Sequence, residues 1–237
     1  MSRRWTEPGD ELEPSISAIN RAYAPFAASQ VNASLDENVA QVHRIISARP
    51  RDVAKLPAIE LAAARLLVGH APESILNETT SLDVLNAAQR YGRLWVALAD
   101  DVPVGFAHVE RLEPAVAHLE EIDVRPDYGR RGLGKRLVTT VCAWAAAAGY
   151  ESVTLTTFRD VPWNMPFYAR LGFEVIPSDA LSPALRSVVQ DEIRRGLDPS
   201  RRAAMRRRCA VAGRKAFRLV ARPGNEFRTF ERRGTRY

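Results

Sequence analysis

The chain has 237 residues, enough for one large domain or two small ones, with 46% hydrophobic and 26% charged residues, an ordinary globular balance. No stretch approaches about 18 consecutive apolar residues, so no membrane span is expected, and the opening MSRRWTEPGD lacks the apolar run of a signal peptide. The net charge of +6 is uneven: Leu181 to Tyr237 holds 16 Lys/Arg against 5 Asp/Glu, a basic run that suits nucleic acid or an acidic surface. With 31 Arg and 3 Lys overall, the same run also reads as a compositional habit.

Residues 1–44 are weakly patterned, although Leu35, Val39, Val42 and Ile46 recur at helical spacing and RIISA reads as a first strand. The segment RDVAKLPAIELAAARLL places Val53, Leu56, Ile59, Ala63 and Leu66 on one helical face, with Pro57 either kinking or restarting it. A second helix, capped by Ser81, runs to Gly92. Two apolar runs flank ADDVP and predict a hairpin. HLEEIDV is a further strand, stopped by Pro126. A long helix then runs from near Gly132 to Gly149, followed by the strand SVTLTT, a short helix in WNMPFYARLG, and the strand FEVI. Ser182 caps a last helix with Pro183 at its first position, and AAMRRRC reads as a final strand. This order predicts an α/β domain with a mixed sheet, without strict βαβ alternation.

The two cysteines, Cys142 and Cys209, form no CxxC or Cys/His cluster, so zinc is not expected and a reducing cytoplasm is the default. His43, His70, His108 and His118 are scattered, and neither GxSxG nor HExxH occurs, so no metal site is expected.

The segment DYGRRGLGKRL carries most of the chemistry. Gly129, Gly134 and Lys135 fit GxxxxGK, but a nucleotide P-loop needs Ser or Thr next, and the next residue is Arg136. Gly132 and Gly134 open a long helix among Arg130, Arg131 and Lys135. A helix start presents free N–H groups and partial positive charge, and glycines let phosphate oxygens approach it. These parts make an anion site.

IDVRPDYGRRGLGKRL resembles the acetyl-CoA motif of the GCN5-related N-acetyltransferase (GNAT) family, with Gly132 and Gly134 in its two small positions. Gly129 stands where the family's loop carries Gln or Arg, and Arg130 and Arg131 are the neighbouring charges. Downstream, Asn164, Tyr168 and Leu171-Gly172-Phe173 resemble the family's second signature, Asn and Tyr one helical turn apart. The resemblance covers residues 45–208, leaving an N-terminal extension over 1–44 and a basic C-terminal extension over 209–237. It implies a mostly antiparallel central sheet flanked by helices, and direct acetyl transfer from acetyl-CoA to a primary amine.

Site roles follow from the same resemblance. The amides of Arg130, Arg131, Gly132, Leu133, Gly134 and Lys135 would hold the CoA pyrophosphate. Backbone N–H groups of Ile122, Asp123 and Val124 would pair with the pantetheine arm and thioester oxygen. Asn164 would bond the CoA arm, unless it only caps its helix. Tyr168 would be the general acid toward sulfur. Glu120 is the expected base: alternation puts it with Ile122 and Val124, and Glu121 on the other face. His118 shares the face of Glu120, and Glu121 is a solvated or amine-binding alternative. Relatives that use a Glu twelve residues before the tyrosine find Thr156 here. The acceptor, a small molecule or a protein N-terminus or lysine, has no motif of its own, although Glu110, Arg111, Phe158 and Trp163 are candidates to line its site. A homodimer is a common outcome in the family. The rival reading is a CoA-binding sensor or nucleic-acid-binding module that keeps the fold without the reaction, supported by the basic run.

Overall fold

The turn at Asp100 and Asp101 sets the centre of the sheet. Both residues take positive φ, 48° and 65°, as a two-residue turn must to match the twist of its strands. Arg49 and Arg51 hold the Asp101 carboxylate at 2.6 and 2.9 Å. This turn joins β2 (Leu94–Ala99) to β3 (Val102–Glu113). The remaining strands are β1 (His43–Ser47), β4 (Val116–Val124), β5 (Ser152–Phe158), β6 (Glu174–Val175) and β7 (Arg202–Arg208). In this computed structural model, which describes residues 43–209, they form one sheet in the order β1-β2-β3-β4-β5-β7-β6. The sheet is antiparallel throughout except for β4 against β5. The mixed, mostly antiparallel architecture expected from the sequence is therefore the observed one.

Apolar spacing decides which helix covers which face. Helix α5 (Leu133–Ala147) buries Leu133, Leu137, Val141 and Ala145, four residues apart, against Ala107, Val109, Ala117, Leu119, Val153 and Leu155. Each of its buried leucines contributes roughly 2–3 kcal/mol of transfer free energy. Cys142 lies buried in the same layer as a free thiol. On the opposite face, α1 (Pro50–Val53), α2 (Leu56–Ala64) and α4 (Leu82–Arg90) pack Val53, Leu56, Ile59 and Leu85 onto Val96, Leu98 and Phe106. Pro57 restarts the helix: α1 stops at Val53 and α2 opens with the proline in its first turn, where no N–H is missed. Ser81 and Ser182 cap as expected, each accepting from the backbone N–H three residues on, and so open α4 and α7 (Pro183–Arg194). Short helices α3 (Glu73–Leu76) and α6 (Met165–Arg170) complete the set. Strand β1 takes in Ile46, while Leu35, Val39 and Val42 lie outside the described residues.

Two irregularities position the site. Strands β4 and β5 keep register only from Val116–Ser152 to His118–Thr154, then part. Beyond that point β5 pairs only with β7. Second, β4 carries a bulge. His108 faces Glu121 while the next residue, Val109, faces Leu119, so Glu120 is the extra residue. An extra residue reverses the inside–outside alternation of everything after it. Ala117 and Leu119 face α5 before the bulge, and Ile122 and Val124 pack on that same layer after it. The expected grouping of Glu120 with Ile122 and Val124 is thus broken. Glu120 sides with His118, whose Nε2 is 3.7 Å from its carboxylate.

Candidate active site

Where β4 and β5 part, a cleft of about 1770 Å³ opens through the molecule. One end is the start of α5. Gly132 caps this helix with φ 76°, a left-handed conformation that suits glycine. Arg130 shares it with φ 57°, a strained value for a side-chain-bearing residue. Arg136 makes the first intrahelical bond, to the Gly132 carbonyl. The N–H groups of Leu133, Gly134 and Lys135 therefore head the helix without intrahelical partners, at the cleft wall. The side chain of Leu133 is in the core, so only its backbone can serve. Arg131 stacks over Tyr128 at 5.0 Å and donates to the Asp127 carbonyl, which stiffens the loop.

The open edge of β4 is the cleft's long wall. Arg125 donates its N–H to the Val104 carbonyl on β3. Alternation then turns the Asp123 N–H toward β3 as well, and leaves those of Ile122 and Val124 on the free edge. Of the three amides expected at the acyl donor, those of Ile122 and Val124 face the open edge and that of Asp123 does not. Asp123 enters the cleft through its carboxyl group instead. The Ile122 N–H donates to Glu121 Oε1 at 3.2 Å.

Across the gap stands α6. Asn164 occupies its N-cap position, but its side chain makes no capping bond; its carbonyl accepts from Phe167 and Tyr168. Asn164 and Tyr168 both line the cleft. The Tyr168 ring is wedged edge-on between Phe167 and Phe173, at 5.1 and 5.9 Å. Burial pushes its hydroxyl above the ordinary tyrosine value, and the charges of Glu121 and Asp123 add to that. It stays protonated at any working pH, as a donor.

The face of the sheet beyond Phe106 turns polar. His108 and Glu110 on β3, His118, Glu120, Glu121 and Asp123 on β4, and Thr156 on β5 all line the cleft. Burial, then the charge of Glu60, pushes Glu121 up to about 8. Burial raises Asp123 well above its ordinary value, with Glu121 and Glu60 adding to it. Burial holds His118 below the ordinary histidine range, so it is neutral, bonded through Nδ1 to Thr154 Oγ1 at 2.9 Å. Burial alone would raise Glu110, but the bond from His108 and the nearby Arg93 hold it low.

Three further residues reach this floor from distant elements. Glu60 on α2, whose carboxyl burial raises, accepts from the Thr80 N–H and hydroxyl. Glu192 on α7 accepts from the Thr156 hydroxyl, and Arg202 on β7 grips Glu192 with two bonds, at 2.5 and 3.1 Å. A lone carboxylate inside the apolar run LPAIELAAA was the readable signal for Glu60; Glu192 sits among other charges and had none. Phe158, Trp163 and Glu110 are part of the cleft lining, and Arg111 on β3 is not. Part of the basic run is consumed internally: Arg195 pairs with Glu78, Arg201 with Asp160, and Arg202 with Glu192. Residues 210–237 lie outside the described residues.

A mixed sheet that splits beside a glycine-opened helix start leaves an open strand edge next to an anion-binding helix end. Residues 64–173, just under half of the chain, match the model of the Acetyltransferase (GNAT) family. Over 59 residues it is 37% identical to the glucosamine 6-phosphate N-acetyltransferase of Trypanosoma brucei brucei, covering 25% of this chain and 38% of that protein. The match thus spans under two thirds of the relative's length. Among solved structures, the PaiA N-acetyltransferase of Thermoplasma acidophilum in complex with coenzyme A has a TM-score of 0.56 at 18% identity, over 70% of this chain and 99% of that one. The ribosomal-protein-S18-alanine N-acetyltransferase of Escherichia coli has a TM-score of 0.51 at 19% identity, over 74% and 99%. These two likenesses concern the fold. No helix among the described residues is long and apolar enough to cross a membrane.

Proposed function

We propose that the protein transfers acetyl from acetyl-CoA directly to a primary amine. The observation that carries this reading is the free edge of β4 running from the unpartnered helix start of α5 to Tyr168. The pyrophosphate of CoA fits the N–H groups of Leu133, Gly134 and Lys135, with Arg130, Arg131 and Lys135 supplying charge. The pantetheine arm fits the edge of Ile122 and Val124, and Asn164 bonds it from the other side. In the reaction the amine nitrogen forms a bond to the thioester carbon, and the C–S bond breaks. The amine's proton goes to a base, and the departing thiolate takes one from the Tyr168 hydroxyl.

The base we assign is Glu121 in place of Glu120. Glu120 is 43% exposed and leans on His118. Glu121 is half-buried beside Asp123, and a value near 8 suits proton transfer from an ammonium near neutral pH. Titration calorimetry with acetyl-CoA and with Mg-ATP tests the reading. Heat is expected from acetyl-CoA alone, and Gly134→Glu should abolish it: the first side-chain carbon has room, 3.5 Å from Phe167, but the carboxylate opposes the phosphate. Binding of ATP without acetyl-CoA would refute the reading.

A further inference from the structure

We propose that the acceptor is an aliphatic diamine or polyamine, bound as a polycation in the acidic half of the cleft between α2 and α7. The proposal rests on the acyl-transfer reading above and narrows it to a substrate class. Its first ground is a set of carboxyl groups without counter-cations, which keep their protons until a cation takes their place. Glu60, Glu120, Glu121 and Asp123 line this half, and among the described residues none is paired with a Lys or Arg. Three cations nearby are already used: Arg202 by Glu192, Arg195 by Glu78, and Arg93 by Glu110.

The second ground is independent of charge. Asp123 Oδ2 is cut off from solvent and has no hydrogen-bond partner, and neither has Nδ1 of the fully buried His108. Enclosed polar atoms are nearly always satisfied. A carboxyl oxygen without a donor calls for one, and an ammonium that displaces the acid proton brings three. A metal ion does not answer the demand, because no three His, Cys, Asp or Glu among the described residues are grouped to hold one. An organic cation does.

The third ground is apolar lining in the same cleft. Leu66 and Trp163 line the cleft at 51% and 49% exposure, beside the half-buried Leu67 and Ile75. Large apolar side chains left open in a cleft with acidic lining match a hydrocarbon stem between charged ends. Phosphorylated amino sugars and free amino acids would set a negative group among these carboxylates. The acceptor of the partially matching trypanosomal relative is therefore disfavoured here.

The experiment measures CoA thiol release at saturating acetyl-CoA with spermidine, 1,4-diaminobutane, n-butylamine, glucosamine 6-phosphate and an alanine-headed peptide. Spermidine is expected to lead, with kcat/KM about 100-fold above butylamine for one added charge contact, an advantage that shrinks as salt rises. Glu60→Gln keeps an oxygen for Thr80 but loses the charge. It should raise the spermidine KM about tenfold and narrow the spermidine-to-butylamine ratio, with acetyl-CoA calorimetry reporting that the variant is folded. Equal rates for spermidine and butylamine, or faster turnover of the sugar phosphate or peptide, would overturn the proposal and leave acyl transfer standing. Absence of acetyl-CoA binding would overturn both.

Discussion

Glu121→Gln should make the protein more resistant to alkali. Moving a carboxyl from its ordinary 4.5 to about 8 disfavours the charged form by about 5 kcal/mol, at ~1.36 kcal/mol per decade of proton affinity. Glu60 and Asp123 share that load, so roughly half, about 2–3 kcal/mol, is assignable to this side chain. The sign follows from proton linkage. The folded state binds the Glu121 proton more tightly than the unfolded chain does. The associated stability is therefore fully present below about pH 4.5 and is lost as pH rises through 8. Glutamine does not titrate. At roughly 2–4 °C per kcal/mol for a domain of this size, the variant should match the wild type near pH 5 and melt about 5–10 °C higher near pH 9. Thermal melts in one buffer series across that range measure the difference. Parallel melting curves at all pH values would refute the assignment of a retained proton to Glu121.

Tyr168→Phe keeps the edge-on contacts with Phe167 and Phe173 but removes the donor; kcat should fall about 10²–10³-fold with acetyl-CoA affinity little changed, as stopped-flow and calorimetry together can show. Gly105→Ala places a methyl carbon 2.7 Å from the Asp123 carbonyl, so β3 and β4 must shift, at a cost of about 1–3 kcal/mol in urea unfolding. Arg202→Met strands Glu192, whose side chain is 9% exposed, and should cost about 3 kcal/mol in the same assay. Replacing Glu192 by Gln as well should recover part of that loss, because the uncompensated charge is gone.

Much of this site was written locally. The helix start at Gly132, the caps at Ser81 and Ser182, the hairpin at Asp100, and the one-turn spacing of Asn164 and Tyr168 each depend on residues within about one turn of each other. The rest depends on pairing between distant segments. A strand's alternation gives its faces only while its register is regular, and nothing in LEEID signals that Glu120 is supernumerary. That single residue moved the expected base from one face to another. Glu60 and Glu192 reach the cleft because α2 and α7 flank the sheet's polar half, and no spacing along the chain connects them with Thr156 or Asp123.

The short seam between β4 and β5 also divides the molecule mechanically. Strands β1 to β4 make one leaf, and β5, β7 and β6 another, stitched by three residue pairs and clasped by α5, whose core touches both. Opening along this seam breaks few backbone bonds, so the leaves form the natural units of partial unfolding. Any molecule lodged between them acts as a rivet, bridging two bodies whose facing strands pair at only one end. Its occupancy would strengthen the whole protein in proportion to its free concentration over its dissociation constant, through the logarithm of that ratio. The place where the sheet fails to close is therefore both the chemical opening and the point at which stability answers to the supply of substrate.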